Sequence, residues 1–368
     1  MVNFLTPFAI EVFSPIAKWL AIGIIGAIIV AGLLIFLLRR NSFAKFLRYA
    51  LYSLFVFLLV LGLICLILEI AKKYSQTYAD ENGIDPKVIA TYVLLPIALF
   101  LLSLLSSAIA MAIITKKSQP ENARKNFKKG LAICGAISLA ILVGVGVMLG
   151  IYFESVKAWY PALNQTLLYI SASLLLIVLI ALAFILNKND KPFDTKCIAM
   201  AGITVAMSFG LSYIKLWEMP QGGSVTLMSL LPIMIFSFIY GTKKGVFVCF
   251  IYGVLQAIQD PWIIHPAQFL LDYPIAFATI GLSGAFASVQ KLKNLPQVAF
   301  LIGGLIASAF RFVSHVFSGV FAFPSTEMSP WLFSLAYNSF VFVDIAIVLV
   351  AGFIVFSSKA FVRELSKH

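Results

Sequence analysis

The sequence predicts an all-α polytopic membrane protein with about eleven transmembrane helices. Three observations lead there. Hydrophobic residues make up 61% of the 368 residues and charged residues 11%, with mean hydropathy +1.01, whereas a soluble domain is about half apolar and a quarter charged. Apolar runs recur at close to the roughly 20 residues that span a bilayer. The formal net charge of +12 comes from Lys and Arg in short clusters between those runs. That is the pattern of cytoplasmic loops rather than of a nucleic-acid surface, so the lipid bilayer is the expected surrounding and nucleic acid is excluded as a partner.

Taken in order, the runs are 17–38, 47–71, 88–115, 129–153 and 164–186. With their loops they form an expected five-helix membrane domain, residues 1–190, in which Glu69 is the main charge near a span and no chemical motif stands out. Packing or partner contact is its expected role. After the loop "NKNDKPFDTK" come 197–216, 226–240, 244–259, 266–289, 298–323 and 331–357, a second six-helix domain over 191–368. The pair 226–259 is short and joined only by "GTKKG", which predicts a tight helical hairpin.

The loops "RRNSFAKFLR", "TKKSQPENARKNFKK", "NKNDKPFDTK", "GTKKG" and "QKLKN" and the tail "KAFVRELSKH" are basic, and those between them are mixed or acidic. Placing every basic loop inside predicts a plasma-membrane protein with its N-terminus outside and C-terminus cytoplasmic. The first run lacks a signal-peptide n-region and cleavage site, so it is expected to be retained. Cys65, Cys134, Cys197 and Cys249 lie singly in or beside apolar segments; they read as buried hydrophobes, with no metal spacing.

Charge inside hydrocarbon is costly and marks function. The stretch "DPWIIHPAQFLLDYP" (260–274) concentrates such residues. Pro266 suits a first helical turn, which puts Asp272 about 9 Å inward at 1.5 Å per residue. Pro274 cannot donate to the Leu270 carbonyl, so a kink and a freed carbonyl are expected there. Asp272 with Tyr273 can hold a cationic or amine-bearing ligand; the alternative is an ion pair with Arg311. Ser308, Arg311, His315 and Ser318–Gly319 recur at three- and four-residue steps on one face of the 298–323 helix. His315 lies at ligand depth or is a satisfied core histidine; Arg311 is deeper and structural. Tyr337 and Asn338 open the last helix, Asn338 with donors and an acceptor for a heterocycle. Asp344, about two turns on, is an alternative partner for Arg311. Trp217, Trp262, Phe323, Trp331 and Phe333 ring the same mouth, as an interfacial belt or as stacking surfaces. Gly202, Ala206 and Gly210 strip one helix face of bulk, for internal packing or for a partner helix.

The motifs "LSYIKLWEMPQGGSVTLMSLLPI", "YGVLQAIQDPWIIHPAQFLLDYPIAF", "RFVSHVFSGVFAF" and "SLAYN" together resemble the thiamine-specific substrate-binding (S) component of energy-coupling-factor (ECF) vitamin transporters, over roughly 192–360. The resemblance implies a six-helix S-component bundle that captures thiamine from outside. It also implies a transmembrane coupling protein and two cytoplasmic ATPases as partners. By the same resemblance the family's acidic–Tyr pair falls on Asp272–Tyr273, its His on His315 and its Asn on Asn338. Trp262 stands at an aromatic ten positions before the acid, and Trp217 at a first-loop Trp that stacks on the vitamin. Phe323 and Phe333 replace a Trp and a Tyr, keeping a stacking surface while losing an indole N–H and a hydroxyl. Gly202, Ala206 and Gly210 fall on the face that docks on the coupling protein. Thiamine is then a substrate, and no cofactor is expected.

The chemistry of the residues agrees, since a thiazolium cation and an aminopyrimidine call for a carboxylate, aromatic faces and amide groups. No G-x-x-x-x-G-K-[ST] loop is present, so ATP coupling needs other subunits. Two alternatives are an S component for a thiamine precursor or another vitamin, and an intramembrane hydrolase using Ser314 or Ser318 with His315 and Asp344. The hydrolase reading is disfavoured: adjacent helical residues such as Ser314 and His315 do not face each other, and no nucleophile elbow is evident.

Overall fold

Proline and small polar residues set where the helices begin. Asn164 caps one helix through Oδ1, which accepts from the Leu167 N–H at 3.0 Å, and Asp194 caps the next in the same way from Cys197 at 2.8 Å. Pro266, Pro296 and Pro330 each open a helix, where the missing N–H costs nothing. The computed structural model describes residues 86–117, 120–187, 194–219, 222–259, 262–325, 327–358 and 361–362. The predicted spans 17–38 and 47–71 lie outside these residues.

The chain forms two compact units, Met1–Leu95 and Pro96–His368. Of the first, the described residues 86–95 are helical. The second contains, from Pro96 on, helix α1 (Leu95–Lys117), then α2 (Pro120–Val156), α3 (Gln165–Ile185) and α4 (Thr195–Ser212). A two-stranded antiparallel hairpin follows, β1 (Lys215–Glu218) and β2 (Ser224–Thr226), then α5 (Leu231–Tyr240) and α6 (Thr242–Gln259). A composite helix α7 runs over Pro266–Phe286 with a π turn at Leu271–Ile275 and a 3₁₀ end at Thr279–Phe286. The last elements are α8 (Pro296–Ala322), α9 (Pro330–Asn338) and α10 (Phe340–Ser357).

The all-helical polytopic class stands: six helical stretches among the described residues are long and apolar enough to cross a membrane. Three boundaries differ from the sequence reading. The run 197–216 stops being helical at Ser212 and the run 226–240 starts only at Leu231, because the residues between pair as β1 and β2. At ten residues α5 is about 15 Å long, too short to span alone. The run 331–357 is two helices meeting at Ser339. The predicted α5–α6 hairpin turns at Gly241, whose φ of 86° is a conformation that suits glycine.

Tyr252, Phe236, Phe300 and Phe356 are fully buried at the centre of the largest core cluster, with residues of α5 to α8 and α10 around them. Close packing depends on absent side chains: a Cβ on Gly281 would lie 2.1 Å from the Val246 nitrogen of α6. The second cluster carries α3 into this bundle. Leu168, Ala172 and Leu175 pack with Ile264, Ala267, Leu271, Ile275 and Ala322, and the Thr242 hydroxyl donates to the Ala183 carbonyl at 3.0 Å. Helix α3 thus buries its Leu168–Ala172–Leu175 face against α7 and α8. Its other face leaves Ile170, Leu174, Ile177 and Phe184 exposed, as lipid contact requires.

Candidate functional site

The π turn of α7 carries the predicted acid. Pro274 sits inside it, so the kink expected from the sequence takes the form of one widened turn. The carbonyl that gains a partner is that of Leu271, which accepts from the Ser314 hydroxyl of α8 at 2.6 Å; the sequence pointed to Leu270. Gly253 of α6 permits this bend, since a Cβ there would come 2.5 Å from the Tyr273 carbonyl oxygen.

Asp272 does not pair with Arg311. Its Oδ2 accepts from the Gln268 Nε2 at 2.7 Å and the Ser318 hydroxyl at 2.6 Å, and its Oδ1 lies 3.1 Å from His315 Nδ1. Against an ionised carboxylate, which can only accept, Nδ1 donates, and in the neutral imidazole Nε2 is then the acceptor. Among the described residues His315 Nε2 is buried without a hydrogen-bond partner, and His315 lines the main cavity. Buried polar atoms are nearly always satisfied, so an unpaired acceptor here marks a place for a ligand donor.

Arg311 takes the alternative partner. Its Nη1 donates to Asp344 Oδ2 at 2.8 Å, and both side chains are almost fully buried. Asp344 Oδ1 accepts from the Thr226 backbone N–H at 3.0 Å and from its hydroxyl at 3.1 Å. This pair stitches β2 to α8 and α10 and forms the floor of the cavity. A partnered arrangement is needed here, because a lone buried charge costs several kcal/mol.

Around this floor the structure gathers Trp262, Asp272, Tyr273, His315, Phe323, Phe333, Tyr337 and Asn338 as lining residues of one cavity, with an empty volume of about 1030 Å³ including its open mouth. Tyr273 is oriented by its hydroxyl, which accepts from the Trp262 N–H at 2.8 Å. Phe333 and Tyr337 stack at 6.1 Å between ring centres. Asn338 Nδ2 donates to the carbonyls of Ser334 at 2.9 Å and His315 at 3.3 Å. Two carbonyl acceptors fix the amide orientation, so its oxygen is the group left for a ligand. Gly319 allows α9 this close: a Cβ there would meet the Ser334 hydroxyl at 2.2 Å.

Trp217 is not brought into this set; it stands on β1, 57% exposed and outside the cavity lining. Trp331 packs edge-on against Phe317 and Phe321 instead of lining the cavity. Sequence reasoning missed Gln268, Gln256 and Gln259. Gln268 lies one turn before Asp272, a spacing that brings helical side chains together. Gln256 and Gln259 line the cavity and close a triangle with Ser212: Gln256 Nε2 donates to the Ser212 hydroxyl and to Gln259 Oε1, both at 3.0 Å, and Ser212 donates to Gln259 Oε1 at 2.6 Å. Two glutamines in the apolar helix α6 were the available signal. Of the small-residue face on α4, Ala206 and Gly210 are exposed and Gly202 is partly buried, and a Cβ on Gly210 would meet nothing within 4 Å.

Fold and cavity together define a multi-helix membrane protein with an aromatic-walled cavity that carries a few convergent polar groups, the form of a candidate small-molecule site. The family model of the thiamine transporter protein matches residues 198–363. The thiamine transporter ThiT of Bacillus subtilis (strain 168) is 42% identical over 132 residues, covering 33% of this chain and 68% of the relative. ThiT of Lacticaseibacillus paracasei is 27% identical over 169 residues, covering 41% and 82%. A solved structure of ThiT from Listeria monocytogenes aligns with TM-score 0.37 and 21% identity, over 44% of this chain and 91% of that one. The chain belongs to the thiamine transporter family.

Proposed function

We propose that the chain is the thiamine-binding membrane subunit of an ECF-type transporter, with residues 191–368 as its S-component domain. The observation that carries this reading is the Asp272–His315 pair, which leaves an unpaired acceptor nitrogen in a cavity walled by aromatic residues. Asp272 supplies the negative charge that a thiazolium requires, Tyr273, Trp262, Phe323 and Phe333 supply faces for flat rings, and His315 Nε2 with the Asn338 oxygen accepts from an exocyclic amine. The membership of the thiamine transporter family supports thiamine over another vitamin or a precursor. The two hydroxyls a hydrolase could use as nucleophile are engaged elsewhere, Ser314 with the Leu271 carbonyl and Ser318 with Asp272, which supports a binding protein over an enzyme.

The basic-loop pattern supports a cavity mouth on the outer face, with the N-terminus outside and the C-terminus in the cytoplasm. Release inward then needs a coupling protein and two ATPases. The exposed Ala206 and Gly210 of α4 support that helix as the docking face for the coupling protein. The test is a titration of purified protein with thiamine, followed by tryptophan fluorescence. Saturable quenching at or below micromolar concentration is expected, since Trp262 lines the cavity; binding of a different vitamin with none of thiamine would refute the proposal.

A further inference from the structure

The family match begins at residue 198, yet residues before it touch both helices that carry the site. At the start of α7, His265 caps the helix, its Nδ1 accepting from the Ala267 N–H at 3.1 Å. Its ring is held edge-on between Phe153 of α2, 4.7 Å away between centres, and Tyr169 of α3, 4.9 Å away. At the end of α8, the Asn164 N–H donates to the Phe321 carbonyl at 2.8 Å. Tyr160, in the loop between α2 and α3, meets the ring of Phe323 edge-on at 6.2 Å. Phe323 lines the cavity just past the last turn of α8, where the backbone leaves helical geometry and has no further turn to hold it.

We infer that the α2–α3 loop is a built-in brace of the binding cavity, in which Tyr160 is a positioning residue that holds Phe323 against the ligand and slows its release. The inference rests on the thiamine reading above. Phe323 makes the final helical hydrogen bond of α8, its own N–H donating to the Gly319 carbonyl, and no later turn supports it, so its ring orientation depends on what lies behind it. Behind it are Tyr160 and Leu163, which pack in the same cluster as Phe323 and Ala322. Rigid support of a contact residue lowers the ordering cost of binding, and a lost support shows mainly in the dissociation rate. The effect belongs to the ring: Tyr160→Phe keeps the edge contact and Tyr160→Ala removes it.

The experiment measures thiamine association and dissociation in the full-length chain for the wild type, Tyr160→Ala, Tyr160→Phe, Phe323→Ala and the double variant Tyr160→Ala/Phe323→Ala. Expected is dissociation faster by roughly three- to tenfold in Tyr160→Ala, the size of one aromatic pair, with association nearly unchanged and Tyr160→Phe close to the wild type. In the Phe323→Ala background, Tyr160→Ala should add little, because its route to the ligand is already gone. Equal release rates in the wild type and Tyr160→Ala overturn the inference, as does a full additive effect in the double variant, which would make Tyr160 a general packing residue. A wild type that binds no thiamine overturns the functional proposal and this inference together; a wild type that binds with Tyr160→Ala unaltered overturns this inference alone.

Discussion

Asp272→Asn tests the site most directly, because the substitution changes charge and hydrogen-bond polarity at nearly constant shape. In the native arrangement Oδ2 accepts from two donors, Gln268 Nε2 and the Ser318 hydroxyl. An asparagine must turn its oxygen toward those donors, which aims its NH₂ at His315 Nδ1. That nitrogen then has to accept, and the imidazole proton moves to Nε2. The atom that faced the cavity as an acceptor becomes a donor, opposed to an amine N–H of the ligand. Two losses follow. A hydrogen bond involving a charged group contributes roughly 1.5–3 kcal/mol, and the reversed contact at Nε2 leaves a buried polar pair unsatisfied at about 1–3 kcal/mol. The acid is partly open to solvent, its side chain 20% exposed, so the lower ends apply and the total is about 2.5 kcal/mol, or roughly 50- to 100-fold in Kd. Isothermal titration and fluorescence quenching of detergent-purified protein measure it, with a melting curve to confirm the fold. Asp272→Glu keeps the charge and should stay within about tenfold of the wild type. An Asp272→Asn variant that folds and binds thiamine with native affinity would refute the reasoning, and Asp272 would then serve only to join α7 to α8.

Two further outcomes are expected. Ala206→Trp places bulk on the exposed face of α4 and should leave thiamine binding intact while abolishing ATP-dependent uptake in cells that carry the coupling module; loss of both activities, or of neither, would rule out that face as the docking surface. Burial lowers the His265 pKa to about 4 from its ordinary 6.5, so the folded state holds it neutral while the unfolded chain protonates first. Stability should therefore be complete above pH 6.5 and fall as the pH drops toward 4, and His265→Asn, which keeps a capping acceptor, should flatten that part of the melting-temperature profile; parallel profiles for the two proteins would exclude His265 as the source.

Composition and run length alone determined the membrane class, because no solvent but lipid tolerates so many long apolar helices. The acid, histidine and asparagine of the cavity were legible for a related reason: polar residues inside hydrocarbon have few causes, and helical spacing places Arg311, His315 and Ser318 on one face. The choice between partners was not legible. Asp272 and Asp344 were both within plausible reach of Arg311, and only the tertiary packing assigned Asp344 to the arginine and left Asp272 to His315. The hairpin of β1 and β2 was also hidden, since most of its residues fall in the short polar stretch between two apolar runs and their strand pairing is a contact between segments. Trp217 reads in sequence as a belt residue or a stacking one, and its place on β1, outside the cavity lining, is a tertiary fact. The packing of α3 on α7 and α8 was not legible either, since it depends on Leu168, Ala172 and Leu175 meeting Ile264, Ala267 and Leu271. Local sequence sets the length, polarity and facing of each helix; which faces meet depends on shape complementarity between helices distant in the chain, and that exists only once the bundle has assembled.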